Sequence, residues 1–344
     1  MLDRKRNITR KVLFPYHYLR GSIKVPYMPF NVFTEVTNLC NLRCRMCPQS
    51  LEGFRKRGSM PMELYKKIVD QITGYCYSQP LAMGGEPLLH PLLADMISYS
   101  KEKGIPNVNF ITNGTAFTEE LSRKIIKSGL DEITISFEAE YPDFYESIRN
   151  PVRYDDTLKS IRTFLKAKKE LRSKKPHVTI TSLTECKPGK DMHTFPDITD
   201  KLTKVFEGLP VDRFRKMWMV NWPGDFSEKS KFDFFVPDKD KKNYMSCRKL
   251  WSDIQVLWDG RVVPCCRDLN ADCVLGDVNR DTIKEIWNNR DYRELREKIV
   301  KGRYKEVNLC QNCEELFYTE DKRVMKKTKH KIASILRKTK IIRW

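Results

Sequence analysis

Cys40-Asn41-Leu42-Arg43-Cys44-Arg45-Met46-Cys47 is the stretch from which the rest of the chain can be read. Its C-x3-C-x2-C spacing sets three thiols on one short loop and offers no fourth. Three thiolates hold three corners of a [4Fe–4S] cube. The fourth iron then stays open to a ligand that is not protein, much as a catalytic metal keeps an open position. A structural zinc site with a distant fourth ligand, or buried thiols, is the other reading of the spacing alone. Zinc loops more often pair cysteines as C-x2-C and repeat the pair.

Outward from this loop the chain alternates apolar, β-branched runs with amphipathic ones. The pattern predicts strands near Val32–Val36, Gln79–Met83, Asn107–Ile111, Glu132–Ser136, His177–Leu183 and Lys216–Asn221. Helices are predicted over Met62–Thr73, Leu92–Lys103, Glu119–Ser128, Asp155–Leu171 and Asp197–Glu207. Such alternation implies parallel strands joined by right-handed crossovers. Six units suit an α/β fold of the open, partial (β/α)6 TIM-like barrel type, with its site at the C-terminal ends of the strands.

The elements that follow each strand carry a resemblance. Glu35-Val36-Thr37-Asn38-Leu39 leads into the cysteine loop, and Pro48 follows it. The second strand ends in Met83-Gly84-Gly85-Glu86-Pro87, the third in Ile111-Thr112-Asn113-Gly114-Thr115, and the fourth in Ile133-Thr134-Ile135-Ser136. This order resembles the radical S-adenosylmethionine (SAM) superfamily. The resemblance implies a [4Fe–4S] cluster on Cys40, Cys44 and Cys47 and a SAM molecule bound at its open iron. It implies that Met83, Gly84, Gly85 and Glu86 meet the amino group of SAM, the two glycines allowing close backbone approach. Asn113 is expected near the SAM pocket, and Ser136 and Arg149 on its ribose and carboxylate. The family often has an acidic residue and Gly directly after this Ser, whereas this chain has Phe137-Glu138-Ala139.

A second group of cysteines, Cys247, Cys265, Cys266, Cys273, Cys310 and Cys313, lies beyond a charged stretch. Trp258-Asp259-Gly260-Arg261 within it reads as a hairpin with an Asp-Gly turn. The order resembles the SPASM or twitch extension of radical SAM enzymes, a small cysteine-rich iron–sulfur module. One auxiliary [4Fe–4S] cluster on Cys247, Cys265, Cys310 and Cys313 is what that resemblance implies. Cys266 competes with its neighbour for one ligand place, and the Gly-x4-Cys spacing from Gly260 favours Cys265. Cys273 and Cys76 read as apolar filler, and a zinc ribbon is the structural alternative for the group. Cys186, just past the fifth strand, is a candidate hydrogen-atom donor or a loop thiol with no role.

The organisation expected is a basic N-terminal extension over 1–30, a barrel over 31–224, a linker over 225–246, the auxiliary module over 247–319 and a basic tail over 320–344. A basic extension of that length leaves no room for a separate peptide-recognition domain. Hydrophobic residues make up 40% of the 344, enough for a full core, and the 11 cysteines are not arranged as a secreted disulfide framework. The first residues do not read as a signal peptide, and no apolar run approaches the roughly 18 residues of a membrane span. A cytoplasmic protein is expected. The net charge of +19 fits nucleic acid, an anionic membrane surface or phosphorylated substrates as partners, with mere solubility as the bland reading. From Lys322 to Arg343 ten Lys or Arg occur with no acid, beside an apolar stripe of Ile332, Ile335, Leu336 and Ile342. That is the pattern of a helix on an anionic membrane surface, with nucleic acid as a competing partner and a solvated tail as the bland reading.

The resemblance implies reductive cleavage of SAM and hydrogen abstraction from a substrate, fed by a one-electron reductant such as flavodoxin or ferredoxin. A carbohydrate-type substrate, free or lipid-linked, oxidised or epimerised, is the favoured reading. Maturation of a ribosomally made peptide and modification of RNA are the alternatives.

Overall fold

The computed structural model describes residues 6–184, 195–219, 222 and 243–318. Cys186, most of the linker and the basic tail lie outside the described residues.

The alternation of runs becomes six strands and their crossover helices. Strands β1 (Asn31–Thr34), β2 (Ser78–Pro80), β3 (Asn107–Thr112), β4 (Glu132–Ser136), β5 (His177–Thr184) and β6 (Arg213–Trp218) pair in sequence order, all parallel. After the short α1 (Phe14–Leu19), the connecting helices are α2 (Met62–Ile72), α3 (Leu93–Glu102), α4 (Glu119–Lys127), α5 (Pro142–Ile148), α6 (Tyr154–Glu170) and α7 (Asp200–Lys204). Local chemistry fixes their ends. Thr118, for example, caps α4 by accepting from Leu121 N at 3.1 Å, with Glu119 and Glu120 in the first turn complementing the helix dipole.

The two faces of this sheet differ. Val32, Val108, Ile133 and Ile180 are fully buried and join Tyr65, Met96, Ile125 and Phe164 of the helices in one core. The register puts Ser78, Asn109, Thr134, Thr181 and Arg215 on the other face. Ile111, on that face, is 56% exposed. A parallel sheet covered on both faces reads as unbroken apolar runs. Here one face is apolar under helices and the other mixes polar side chains with Phe33, Ile111, Leu183 and Met217, so the strands largely alternate. This is the physical reason for one displaced expectation. The sixth strand is Arg213–Trp218 rather than Lys216–Asn221, because its inner positions are Arg213 and Arg215 and the run of apolar residues marks only its end.

The C-terminal module does not stand apart from this sheet. Strand β8 (Asp253–Val256), after the short β7 (Asn243–Tyr244) and helix α8 (Lys249–Ser252), pairs parallel with β1 over four residues, Asn31↔Asp253 to Thr34↔Val256. β9 (Arg261–Val263) and β10 (Gly276–Asp277) extend it antiparallel, giving nine strands in the order β10-β9-β8-β1-β2-β3-β4-β5-β6. The expected Asp-Gly turn joins β8 to β9, with Gly260 at φ +94. Helices α9 (Ile283–Trp287) and α10 (Arg290–Val300) and the final strand β11 (Phe317–Tyr318), paired with β7, complete the module. The N-terminal segment is tied to it: Tyr18 Oη donates to Ser246 O at 2.6 Å, and the indoles of Trp251 and Trp287 donate to Ser22 O and Tyr27 O at 2.8 Å. Among the described residues no helix is long and apolar enough to cross a membrane.

Candidate active site

The cysteine loop leaves the C-terminal end of β1 and is pinned at several points. Asn38 accepts from Gly58 N at 2.7 Å and donates to Lys56 O at 2.9 Å, closing the loop's base. Arg43 N and Arg45 N donate to Asn150 O and Ile148 O at the end of α5, at 2.6 and 2.9 Å. Trp222, past β6, donates to Met46 O at 2.8 Å. Cys40, Cys44 and Cys47 are half-buried and free of disulfides. Burial pushes all three thiols up, Cys47 to about 12, and the neighbouring thiols push Cys44 and Cys47 further. The three therefore lie within electrostatic reach of one another. Metal would be needed to hold them as thiolates. Among the described residues no three Cys, His, Asp or Glu side chains are grouped to hold a single ion. The donor set suits a larger group that takes each thiol at its own corner.

The loop after β2 closes over this one. Glu86 N donates to Leu39 O at 2.8 Å. A Cβ on Gly85 would meet Thr37 O at 2.2 Å and Leu39 O at 2.8 Å. That glycine thus serves close approach to the chain's own backbone, in addition to any ligand. Glu86 turns inward and is buried. Its carboxylate accepts from Leu88 N at 3.0 Å, Thr112 Oγ1 at 2.7 Å and Asn113 N at 2.7 Å. Burial pushes its pKa up to about 7 against those donors. Glu86 thereby joins the ends of β2 and β3.

Glu35 and Arg55, neither singled out in the sequence, form the hub of the site. Glu35 is fully buried just past β1 and accepts from Arg55 Nη2 at 2.5 and 2.7 Å, Gly84 N at 3.2 Å and Trp258 N at 3.2 Å. Arg55 also donates through Nε to Leu269 O at 2.5 Å. One carboxylate thus joins the first strand, the glycine loop and the C-terminal module. Arg55 Nη1 is a buried donor with no partner among the described residues. An anionic or carbonyl group of a bound molecule would satisfy it, which fits a ligand seated against Gly84. The signal available in the sequence was a charged residue ending an apolar run.

The remaining expected residues gather at the same ends of the strands. Asn113 donates to Asn41 Oδ1 at 3.0 Å and its Nδ2 lies 4.0 Å from Cys40 Sγ, so the third strand's loop touches the cysteine loop. Ser136 ends β4 in register with Thr181, and its hydroxyl has no partner among the described residues. Arg149, buried at the end of α5, is committed to Glu138 by two parallel bonds, Nε–Oε2 at 2.6 Å and Nη2–Oε1 at 2.8 Å. Burial works against the Arg149 charge, but Glu138 and then Cys44 hold its pKa above the ordinary value. Glu138 is the residue that stands where the family often has its acidic one offset by a single position.

The second thiol group collects between α8 and the turns that hold Cys310 and Cys313. Burial raises the Cys310 thiol, and Cys313, Cys247, Cys265 and Cys273 raise it further. Cys247 is pushed to about 12 by burial and then by Cys265. The four expected ligands thus share one surrounding. Cys266 adjoins that surrounding through Cys265. It shares a hydrogen bond with Cys265 and faces Lys249 Nζ at 4.0 Å. Cys273 packs on the apolar core, as filler would, yet also reaches Cys310. The Asp268 carboxylate folds it back by accepting from Asp272 N at 2.8 Å and Cys273 N at 3.0 Å. Cys76 is fully buried, as expected.

Residues 34–193 match the model of the radical SAM superfamily, and residues 247–314 that of the SPASM iron–sulfur cluster-binding domain. The chain belongs to the radical SAM superfamily. With it come SAM, a [4Fe–4S] cluster and, from the SPASM domain, auxiliary iron–sulfur. This radical SAM protein is 22% identical over 308 residues to the tungsten-containing aldehyde ferredoxin oxidoreductase cofactor-modifying protein of Pyrococcus furiosus, covering 77% of this chain and 82% of that one. It is 22% identical over 283 residues to the S-adenosyl-L-methionine-dependent 2-deoxy-scyllo-inosamine dehydrogenase of Niallia circulans, covering 81% and 90%. Its fold is similar to that of Streptococcus suis SuiB bound to precursor peptide SuiA, at a TM-score of 0.60 and 15% identity, covering 82% of this chain and 70% of that one.

Proposed function

We propose that this protein abstracts a hydrogen atom from a small, hydroxyl-bearing, carbohydrate-type substrate and oxidises it. When bound, the first cluster and SAM supply the radical chemistry; the protein supplies binding, orientation and electron routing. In this reading Cys40, Cys44 and Cys47 hold the first cluster and leave its fourth iron for SAM. Met83, Gly84 and Gly85 present the backbone of the β2 loop to the amino group of SAM, and Glu86 sets that loop against Asn113. Ser136 meets the ribose. Arg149 acts through its pair with Glu138, beside Cys44, and contacts the carboxylate only if that pair opens. Cys247, Cys265, Cys310 and Cys313 hold one auxiliary cluster.

The observation that supports the substrate class is the mixed inner face of the sheet, where Asn109, Thr134, Ser136 and Thr181 stand among Phe33, Ile111, Leu183 and Met217 in place of the wholly apolar filling of a closed barrel. Such polar groups match a polyol, and the similarity, over 81% of this chain, to the 2-deoxy-scyllo-inosamine dehydrogenase points the same way. Oxidation then runs in balanced steps. The carbinol hydrogen atom would end in 5′-deoxyadenosine, and the substrate radical left behind would become a ketone by losing its hydroxyl proton to water and one electron, which the cluster held by Cys247, Cys265, Cys310 and Cys313 would take up. A one-electron carrier protein such as flavodoxin or ferredoxin supplies the first electron, and such a carrier removes the last.

The test is anaerobic turnover with SAM and 2-deoxy-scyllo-inosamine deuterated at its carbinol carbons. Deuterium in 5′-deoxyadenosine together with a ketone product supports the reading. An epimerised product labelled from D2O would instead assign redox-neutral inversion through a thiol donor, with Cys186 the first to mutate. SAM cleavage stimulated only by peptides, with no response to cyclitols or sugars, would overturn the substrate class.

A further inference from the structure

Lys249 sits in the first turn of α8, two residues after Cys247. Its side chain keeps 18% of its exposure, and Nζ lies 4.0 Å from the Sγ of Cys266, the neighbour of Cys265. Two carboxylates lie near it: Glu315, with Oε1 at 3.6 Å, too far for a good hydrogen bond, and the buried Asp253, which it reaches only through space. The same Glu315 oxygen faces Arg267 Nη2 at 3.4 Å. A largely buried ammonium with such loose partners is costly unless another negative charge stands beside it. Four thiolates on a [4Fe–4S] cube provide that charge, because the assembly is a net anion and becomes more negative on reduction.

We propose that Lys249 tunes the auxiliary cluster. This rests on the reading of Cys247, Cys265, Cys310 and Cys313 as its ligands. A fixed cation a few ångströms from the sulfurs favours the reduced, more negative state, so it raises the reduction potential. In a site of low dielectric the effect is much larger than at a wet surface. Glu315 works in the opposite direction, both by its own charge and by drawing on Lys249. The pair sets a potential at which the cluster accepts the electron of a substrate radical, which favours oxidation over redox-neutral inversion. Lys249 is a positioning residue in charge, since nothing in its geometry requires it to touch substrate.

The experiment is a redox titration of the reconstituted full-length protein, following the two clusters by electron paramagnetic resonance. Lys249→Met is expected to move the auxiliary midpoint to more negative potential and leave the midpoint of the SAM-binding cluster unchanged. Lys249→Arg keeps the charge and stays near wild type. Glu315→Gln moves the auxiliary midpoint to more positive potential. Opposite shifts in Lys249→Met and Glu315→Gln are a signature that mere loosening of the module does not give. Unchanged midpoints, or shifts of the same sign, overturn the proposal. If Lys249→Met loses the auxiliary cluster, Glu315→Gln decides alone, and an unchanged midpoint there overturns it. Wild-type protein with iron for only one cluster fails the ligand set first, and is told apart by iron analysis before any titration.

Discussion

Arg149 and Glu138 show how single residues hold this site at a cost. Both side chains are almost fully buried, and their two parallel bonds, with a weaker one from Leu183 N to Glu138 at 3.3 Å, are the main compensation for removing two charges from water. Arg149→Met therefore leaves a carboxylate stranded beside Cys44 and should cost about 3–5 kcal/mol in urea unfolding. The double variant Arg149→Met, Glu138→Met should recover much of that loss, because no orphan charge remains. Equal losses in the single and double variants would mean that the pair is not a stability element. Glu86 gives a second prediction, with a defined sign. Its pKa is raised by burial from about 4.5 to about 7. Between those values the folded protein keeps a proton that the unfolded chain has released. Stability from this group is thus present below about pH 4.5 and falls as pH rises to about 7, by on the order of 3 kcal/mol in all. Glu86→Gln lacks that proton equilibrium. Its urea midpoint should fall less steeply than that of wild type across the window, and parallel curves would count against a buried, protonated Glu86.

At the scale of elements, the loops are fitted to one another more tightly than to solvent. A Cβ on Gly58 would come within 2.4 Å of the Trp258 ring, whereas one on Gly85 would come within 2.2 Å of the Thr37 carbonyl. A ring can rotate or shift; a backbone held in the first loop cannot. Gly58→Ala should cost about 1–3 kcal/mol as an overpacking change and be relieved by Trp258→Leu. Gly85→Ala should be the worse of the two, lose iron from the first cluster, and gain nothing from Trp258→Leu. Rescue of both variants by that change, read in thermal melts and iron content, would show that the loops yield together. These contacts also mark what the sequence made legible. Cysteine spacing is local chemistry, so the first loop, the glycine turn and the Asp-Gly hairpin were readable from neighbours a few residues apart. The partners of Glu35, Arg149 and Lys249 were not. Arg55, Glu138 and Glu315 lie 11 to 66 positions away, and only the fold decides which charge meets which. Strand β8 was hidden for a related reason: its Asp253 and Gln255 alternate with Ile254 and Val256, as they would in a free hairpin.

For the whole molecule, that strand turns two cysteine modules into one structure. β8 adds to β1 by four parallel partners, and Glu35 reaches across to Trp258 just beyond it. A chain ending at residue 242 would expose β1 as an open edge and lose the cover of Ile254 and Val256, both fully buried. It would also leave the Glu35 and Arg55 hub without Trp258 and Leu269. Such a chain should aggregate or lack cooperative unfolding, even though it retains all six barrel strands. Cys310→Ala with Cys313→Ala is the matched control. It removes thiols and leaves β8 in place, so its thermal melt should stay cooperative and its SAM cleavage should persist at least in part while product formation is lost. Size-exclusion chromatography, melts and 5′-deoxyadenosine assays on the two variants separate the cases. A monomeric, SAM-cleaving protein ending at residue 242 would show that the sheet does not need its eighth strand. The C-terminal module would then act on the reaction through its cluster alone.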